Sequence, residues 1–325
     1  MGAVFLAFVL LLIIFYVADK PIKNPTWGLT FSQIHARYLG FNPSEMFDAV
    51  INDLHPDKVR LMAYWETIEA TRGKYDFAEL DELVHRAKQN GVEVMMVVGQ
   101  KLPRWPECHH PAWYNDLSDA EKRAAQDTMI TAVVSHYKND PTITRWQVEN
   151  EALFNFGEMC PSMTRQDLAA EVALVKRMDP NTPTLISDSG EFGRWLPSAS
   201  AGADEFGSTM YRVVYNAKFG YFKYPLPPAF FKIKNGMLRI FTKYEKVSGV
   251  ELQAEPWFST DIELTPLTRQ YELMNAKIFT DNVSYAKKSG FAEHYSWGVE
   301  WWYWLKQKHD DPTMWESAKY LFQTN

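Results

Sequence analysis

The sequence predicts an α/β protein, a (β/α)8 TIM barrel preceded by an N-terminal membrane-anchor helix, and three observations carry that reading. Short β-rich runs alternate with longer amphipathic stretches from residue 26 onward, and eight such pairs fill a barrel of ordinary size. No Gly-x-Gly-x-x-Gly or Gly-Lys-Ser/Thr loop follows any run, which removes support for a doubly wound nucleotide-binding sheet. Residues 3–18 form an uncharged apolar block unlike anything after them. The division is therefore 1–18 anchor, 19–25 linker and 26–325 barrel. With 46% hydrophobic and 23% charged residues, the chain is neither disordered nor fibrous. Its net charge of −6 argues against nucleic acid as a partner. Two cysteines cannot build a disulfide-dense scaffold or a four-thiolate zinc site.

The sixteen apolar residues 3–18 would span roughly 24 Å as a helix, slightly short of the ~30 Å hydrocarbon core. Tyr16 and the missing basic leader disfavour signal cleavage, so the segment reads as an uncleaved single-pass anchor with the barrel on the extracytoplasmic side. Lys20 and Lys23 pull weakly toward the opposite orientation.

Expected strands follow at 26–31, 58–63, 92–98, 144–149, 183–187, 205–210, 249–254 and 292–297. Between Phe77 and Asn90, Leu80, Leu83, Val84 and Ala87 share one helix face, and Gly91 stops the helix. Asp119–Lys138, Arg165–Met178, Arg269–Ser289 and Pro312–Leu321 read as further helices, several opening on Ser, Thr or Asp.

Barrel chemistry sits at the C-terminal ends of strands. The fourth strand runs out in Trp146-Gln-Val-Glu149-Asn150-Glu151, and the seventh in Glu251-Leu-Gln-Ala-Glu255-Pro-Trp257. Glu151 and Glu255 fall where each strand meets its loop. A facing pair of carboxyls is the minimal apparatus for breaking a glycosidic bond. Glu149 reads as a structural carboxylate inside the barrel.

With these motifs the chain resembles the clan A glycoside hydrolases, retaining enzymes built on this barrel, from about Pro25 to Leu321. The resemblance implies that Glu151 is the acid/base, that Asn150 reaches the sugar 2-hydroxyl and that Glu255 is the nucleophile. Arg60, in Lys58-Val-Arg60-Leu-Met, resembles the arginine that steadies the nucleophile, and Tyr211 the tyrosine that hydrogen-bonds it. Trp297 is similar to the platform under the reacting sugar. Thr209 departs from the histidine that family-five cellulases carry two residues before that tyrosine, which leaves the exact family open. The expected geometry is a carboxyl separation of about 5–5.5 Å.

Gln100, Trp105 and Trp257 are candidate sugar contacts, with Trp301 and Trp302 also just past strand ends; packing is the alternative for each tryptophan. Glu107, Cys108, His109 and His110 match no metal-ligand spacing, and no cofactor is implied. Cys108 and Cys160 lie in neighbouring loops, where a disulfide and two free thiols stay equally open. Asn282-Val-Ser284 fits the glycosylation pattern inside an expected helix.

Residues 212–248 hold eight basic and one acidic side chain with nine Tyr or Phe, a net +7 that leaves −13 for the rest. Such a segment suits anionic lipid headgroups; an amphipathic barrel helix with a solvated basic face is the alternative. The sequence thus leads to a membrane-anchored retaining glycosidase acting on a β-linked oligosaccharide, polysaccharide or glycoside. A barrel that binds carbohydrate without turnover is the second reading.

Overall fold

Parallel strands need long crossovers, and the amphipathic stretches supply them. The computed structural model describes residues 22–158 and 160–324. The strands are β1 (Thr26–Phe31), β2 (Lys58–Met62), β3 (Glu93–Val98), β4 (Ile143–Val148), β5 (Thr184–Asp188) and β6 (Glu205–Met210). A hairpin, β7 (Val213–Asn216) and β8 (Gly220–Lys223), intervenes before β9 (Val247–Gln253) and β10 (Glu293–Trp297). All but the hairpin close into one parallel barrel, each strand beside its sequence neighbour, with β6 joined to β9 and β10 back to β1.

The barrel interior is layered. At the N-terminal ends Arg145 pairs with Glu293 at 2.6 Å and Glu205 at 2.8 Å, and Lys58 reaches Glu293 at 3.0 Å. Met95, Leu185, Val250 and Tyr295 form an apolar layer above them. Arg60, Gln147 and Glu251 come next, toward the mouth. Polar side chains can fill this level because they satisfy one another.

The helices occupy the expected stretches with two differences. The 269–289 helix is two, Leu267–Leu273 and Ala276–Lys288, because the Asn275 side chain caps Ile278 N–H at 3.0 Å and starts a new helix. The 212–248 connection contains the hairpin and the helix Ala229–Phe241, which buries Phe231 and Leu238 while exposing Met237, Ile240 and Phe241. Asn282 is buried and donates to the Gln253 carbonyl at 2.9 Å, so it cannot present itself for glycosylation.

Trp301 and Trp302 lie on the helix Val299–Lys308, wholly buried, and donate to Gln270 Oε1 and the Ala254 carbonyl. They are core residues, since their rings are spent on packing. The anchor expected at 3–18 lies outside the described residues. Among the described residues no helix is long and apolar enough to cross a membrane.

Candidate active site

Two strand ends and one loop build the mouth. β4 passes from Val148 into Glu149, Asn150 and Glu151, with φ of 60° at Glu149 and 45° at Glu151. These left-handed turns break the strand's alternation, so Glu149 and Glu151 serve different neighbourhoods. Glu149 accepts from the N–H groups of Gln100 (2.9 Å) and Lys101 (2.7 Å) and from Gln126 Nε2 (2.8 Å). It ties the top of β3 to β4, the structural role expected of it. Gly99 makes room: a Cβ there would stand 2.4 Å from the Glu149 carboxyl carbon, and its φ of +136° suits only glycine. Burial pushes the Glu149 carboxyl up to about 7 against its two backbone hydrogen bonds.

Glu151 accepts from Thr209 Oγ1 at 2.8 Å. Burial drives its carboxyl well above the usual range, reinforced by the charges of Glu251 and then Glu107. An acid held neutral this way can donate a proton near neutral pH.

Thr209 stands directly across the β6–β9 pairing from Glu251, and neighbouring strands lie about 4.8 Å apart. One threonine therefore sits between two carboxyls. Both oxygens of Glu251 are held: Arg60 Nη1 donates to Oε1 and Tyr211 Oη to Oε2, each at 2.9 Å. Arg60 is aimed by Gln147 Oε1 at 2.8 Å and Asn150 Oδ1 at 2.9 Å. The partners expected around Glu255 are thus gathered around Glu251.

Glu255 lies beyond β9. It pairs with Arg104, whose Nη2 also reaches Glu300 at 2.8 Å. Burial works against the Arg104 charge, but Glu255 and Glu300 offset it and raise its pKa. The guanidinium lies 4.2 Å from the centre of the Trp297 ring, so one face of that tryptophan is already covered. Arg104 was not anticipated. It belongs to a loop with no periodicity, and its only signal was a charge between two prolines.

Above this floor opens a cavity of about 740 Å³ lined by Trp105, Glu107, Tyr211, Glu255, Trp257 and Trp297 among others. Trp105 is 54% exposed and Trp257 half-buried, and Phe156 packs against both rings. Gln100 is absent from this wall. Its amide oxygen accepts from Tyr114 Oη at 3.0 Å, which makes it a brace. Glu151 and Glu251 are buried, 8% and 4% exposed, and it is Tyr211 and Glu107, not these two, that line the cavity. Cys108 and Cys160 form a disulfide that pins the loop carrying Arg104, Trp105 and Glu107 to the loop after β4.

Comparison with known proteins bears on the fold and on part of the chain. Residues 42–172 match the family model described as glycosyl hydrolase family 10. That stretch contains Glu151 but not Glu251. Endo-1,4-beta-xylanase 3 of Hypocrea jecorina is 28% identical over 130 residues, 38% of this chain and 35% of that protein. Beta-galactosidase BbgII of Bifidobacterium bifidum is 25% identical over 130 residues, 34% of this chain and 19% of that one. The matched stretch thus spans 35% and 19% of these relatives' length. Among solved structures, an endo-beta-1,4-xylanase from Gloeophyllum trabeum superposes with a TM-score of 0.56 at 17% identity, covering 86% of this chain and 84% of that. A GH5_18 structure from Bifidobacterium longum gives 0.61 at 14% identity, covering 85% and 70%. At these identities the structures speak for the fold.

Proposed function

We propose that this chain, a clan A glycoside hydrolase whose exact family stays open, is a retaining glycosidase in which Glu151 is the acid/base and Glu251 the nucleophile. The observation that carries the reading is the double hold of Arg60 and Tyr211 on Glu251, one threonine away from a buried, proton-retaining Glu151. A nucleophile must present one oxygen to the anomeric carbon without rotating, and two donors on two oxygens supply that fixity. Glu151 then protonates the leaving oxygen. Once Glu251 is esterified its charge is gone, the pressure on Glu151 falls, and the same group can take a proton from water. Asn150 would meet the sugar 2-hydroxyl, and Trp105 and Trp257 would floor the cavity outward. The carboxyl separation should be about 5–5.5 Å.

A β-1,4-linked xylan or related β-glycan is the first substrate class to try, because relatives on both sequence and fold are named as xylanases. The test is hydrolysis of xylan, mannan, β-glucan and aryl β-glycosides by the protein and by Glu251→Ala. Loss of roughly 10⁴-fold or more in kcat is expected. An activated fluoro-glycoside should label the peptide holding Glu251. Label on Glu255, or full activity in Glu251→Ala, would overturn the assignment.

We also infer that residues 3–18 anchor the barrel, with residues 212–248 as a second lipid contact and the barrel on the extracytoplasmic side. The disulfide Cys108–Cys160 supports an oxidising compartment. Full-length protein should stay with membranes in about 1 M salt, where surface charge is screened, and a chain lacking residues 1–21 should be released. Full-length protein found in the soluble fraction would remove the anchor.

A further inference from the structure

Glu107, like Glu255, lines the mouth without a role in the double displacement, and unlike Glu255 it has no arginine partner among the described contacts. Glu107 is 9% exposed, lines the cavity and stands beside the disulfide that fixes its loop. Its Oε2 accepts from Asn150 Nδ2 at 3.4 Å. The Asn150 Oδ1 is taken by Arg60 Nη2 and Ser187 Oγ, and its amide nitrogen donates to Glu107, which itself lines the cavity. In the free site Glu107 thus holds the amide that the proposed function assigns to a sugar hydroxyl.

Its position is held from several sides. Its backbone has φ of 76° and bridges to Glu158. A Cβ on Gly157 would stand 2.8 Å from the Glu107 Cβ, so the two loops touch there. An ionisable side chain buried and clamped this closely is there at a cost unless something uses it.

We propose that Glu107 is a positioning residue that acts through its neighbours: its carboxyl, lining the cavity and hydrogen-bonded to Asn150, fixes that amide beside Glu151 and places a second carboxyl next to the acid/base. The proposal deepens the glycosidase reading and rests on it only for its kinetic consequence. The groups that face the pair are known from each element. Glu251 on β9, Lys101 after β3 and Thr209 on β6 face Glu151; Tyr211 and Tyr224 feel it. Glu107 itself faces Glu251, Lys101, Asn150 and Arg60, and Tyr64 and Tyr211 feel its charge.

Burial, followed by the Glu251 charge, pushes Glu107 up to about 7. Below that pH it is neutral and leaves Glu151 alone. Above it the new charge makes Glu151 harder to ionise, which delays loss of the acid as pH rises. The device thus extends the alkaline side of activity and leaves the acidic side unchanged.

The test uses full-length protein labelled at glutamate side-chain carboxyl carbons, titrated by NMR. The Glu151 signal is assigned by its loss in Glu151→Gln. In Glu107→Gln, which is isosteric and can still accept from Asn150, the Glu151 midpoint should fall by about one pH unit. The alkaline limb of kcat/KM should move down equally. Glu107→Asp, which keeps the charge, should restore most of both. An unmoved Glu151 midpoint in Glu107→Gln overturns the proposal, even if activity drops, because a merely structural residue gives that result. Protein inactive on every glycan would sink the glycosidase reading, while the titration would still decide this one.

Discussion

The ends of β4 and β9 each carry two glutamates on what a strand pattern treats as one face, and they divide the labour in opposite order. On β4 the inner residue, Glu149, is a brace under backbone N–H groups, and the outer one, Glu151, reaches the site. On β9 the inner residue, Glu251, is held by Arg60 and Tyr211, and the outer one, Glu255, braces Arg104. Height in the barrel explains the reversal. Glu251 lies within β9, level with Thr209, whereas Glu255 lies past the strand's end at Gln253; β4 ends earlier, at Val148, and turns at Glu149, which keeps Glu151 within reach of Thr209. Placing the reacting group where strand meets loop works only when the chain bends there.

The largest effect that can break this contrast comes from Glu255→Gln. If Glu255 only braces Arg104, Glu300 still holds that guanidinium at 2.8 Å, and kcat should stay within about ten-fold of the parent. KM should rise by about ten-fold, since a loosened Arg104 shifts against Trp297 at the cavity wall. Steady-state kinetics separates the two parameters. A collapse of kcat by roughly 10⁴-fold would return the nucleophile role to Glu255 and undo the comparison.

How far the sequence could see follows from the same physics. The barrel was legible because alternation of apolar runs and amphipathic helices is a repeated signal, and all eight expected strands fall within two residues of the observed ones at either end. Glu151 was legible because it follows a strand end, and Arg60, Tyr211 and Asn150 because their motifs resemble those of clan A glycoside hydrolases. What strand alternation cannot convey is height: Glu251, Gln253 and Glu255 share parity, and the hydrogen bonds from Arg60 and Tyr211 distinguish Glu251. Loop residues were least legible. Arg104 covers the ring expected to floor a sugar, and Glu107, whose loop matches no metal-ligand spacing, lines the cavity and accepts from Asn150. The hairpin β7–β8 was missed because four-residue strands with exposed ends bury too little to leave a pattern.

The smallest expected effect tests the other half of the contrast, the claim that Glu149 is a brace. Beneath it lies Glu171, and Gln126 Nε2 donates to both, at 2.8 and 2.9 Å. Burial, then the Glu149 charge, raises the Glu171 carboxyl well above its usual range. In the unfolded chain both groups titrate near 4.3. The fold therefore holds more protons than the unfolded chain from about pH 4 up through about 7, where Glu149 ionises. Stability contributed by this pair is complete below that window and declines as pH rises through it, by at most about 1.4 kcal/mol per pH unit for each proton. Glu171→Gln keeps an oxygen for Gln126 and offers Glu149 a permanent N–H in place of a titrating proton. Urea unfolding at several pH values should show the variant losing less stability than the parent between pH 5 and pH 8, in roughly that proportion. Parallel curves for the two proteins would mean that Glu149 and Glu171 share no proton, and that the β3–β4 brace stands on its backbone hydrogen bonds alone.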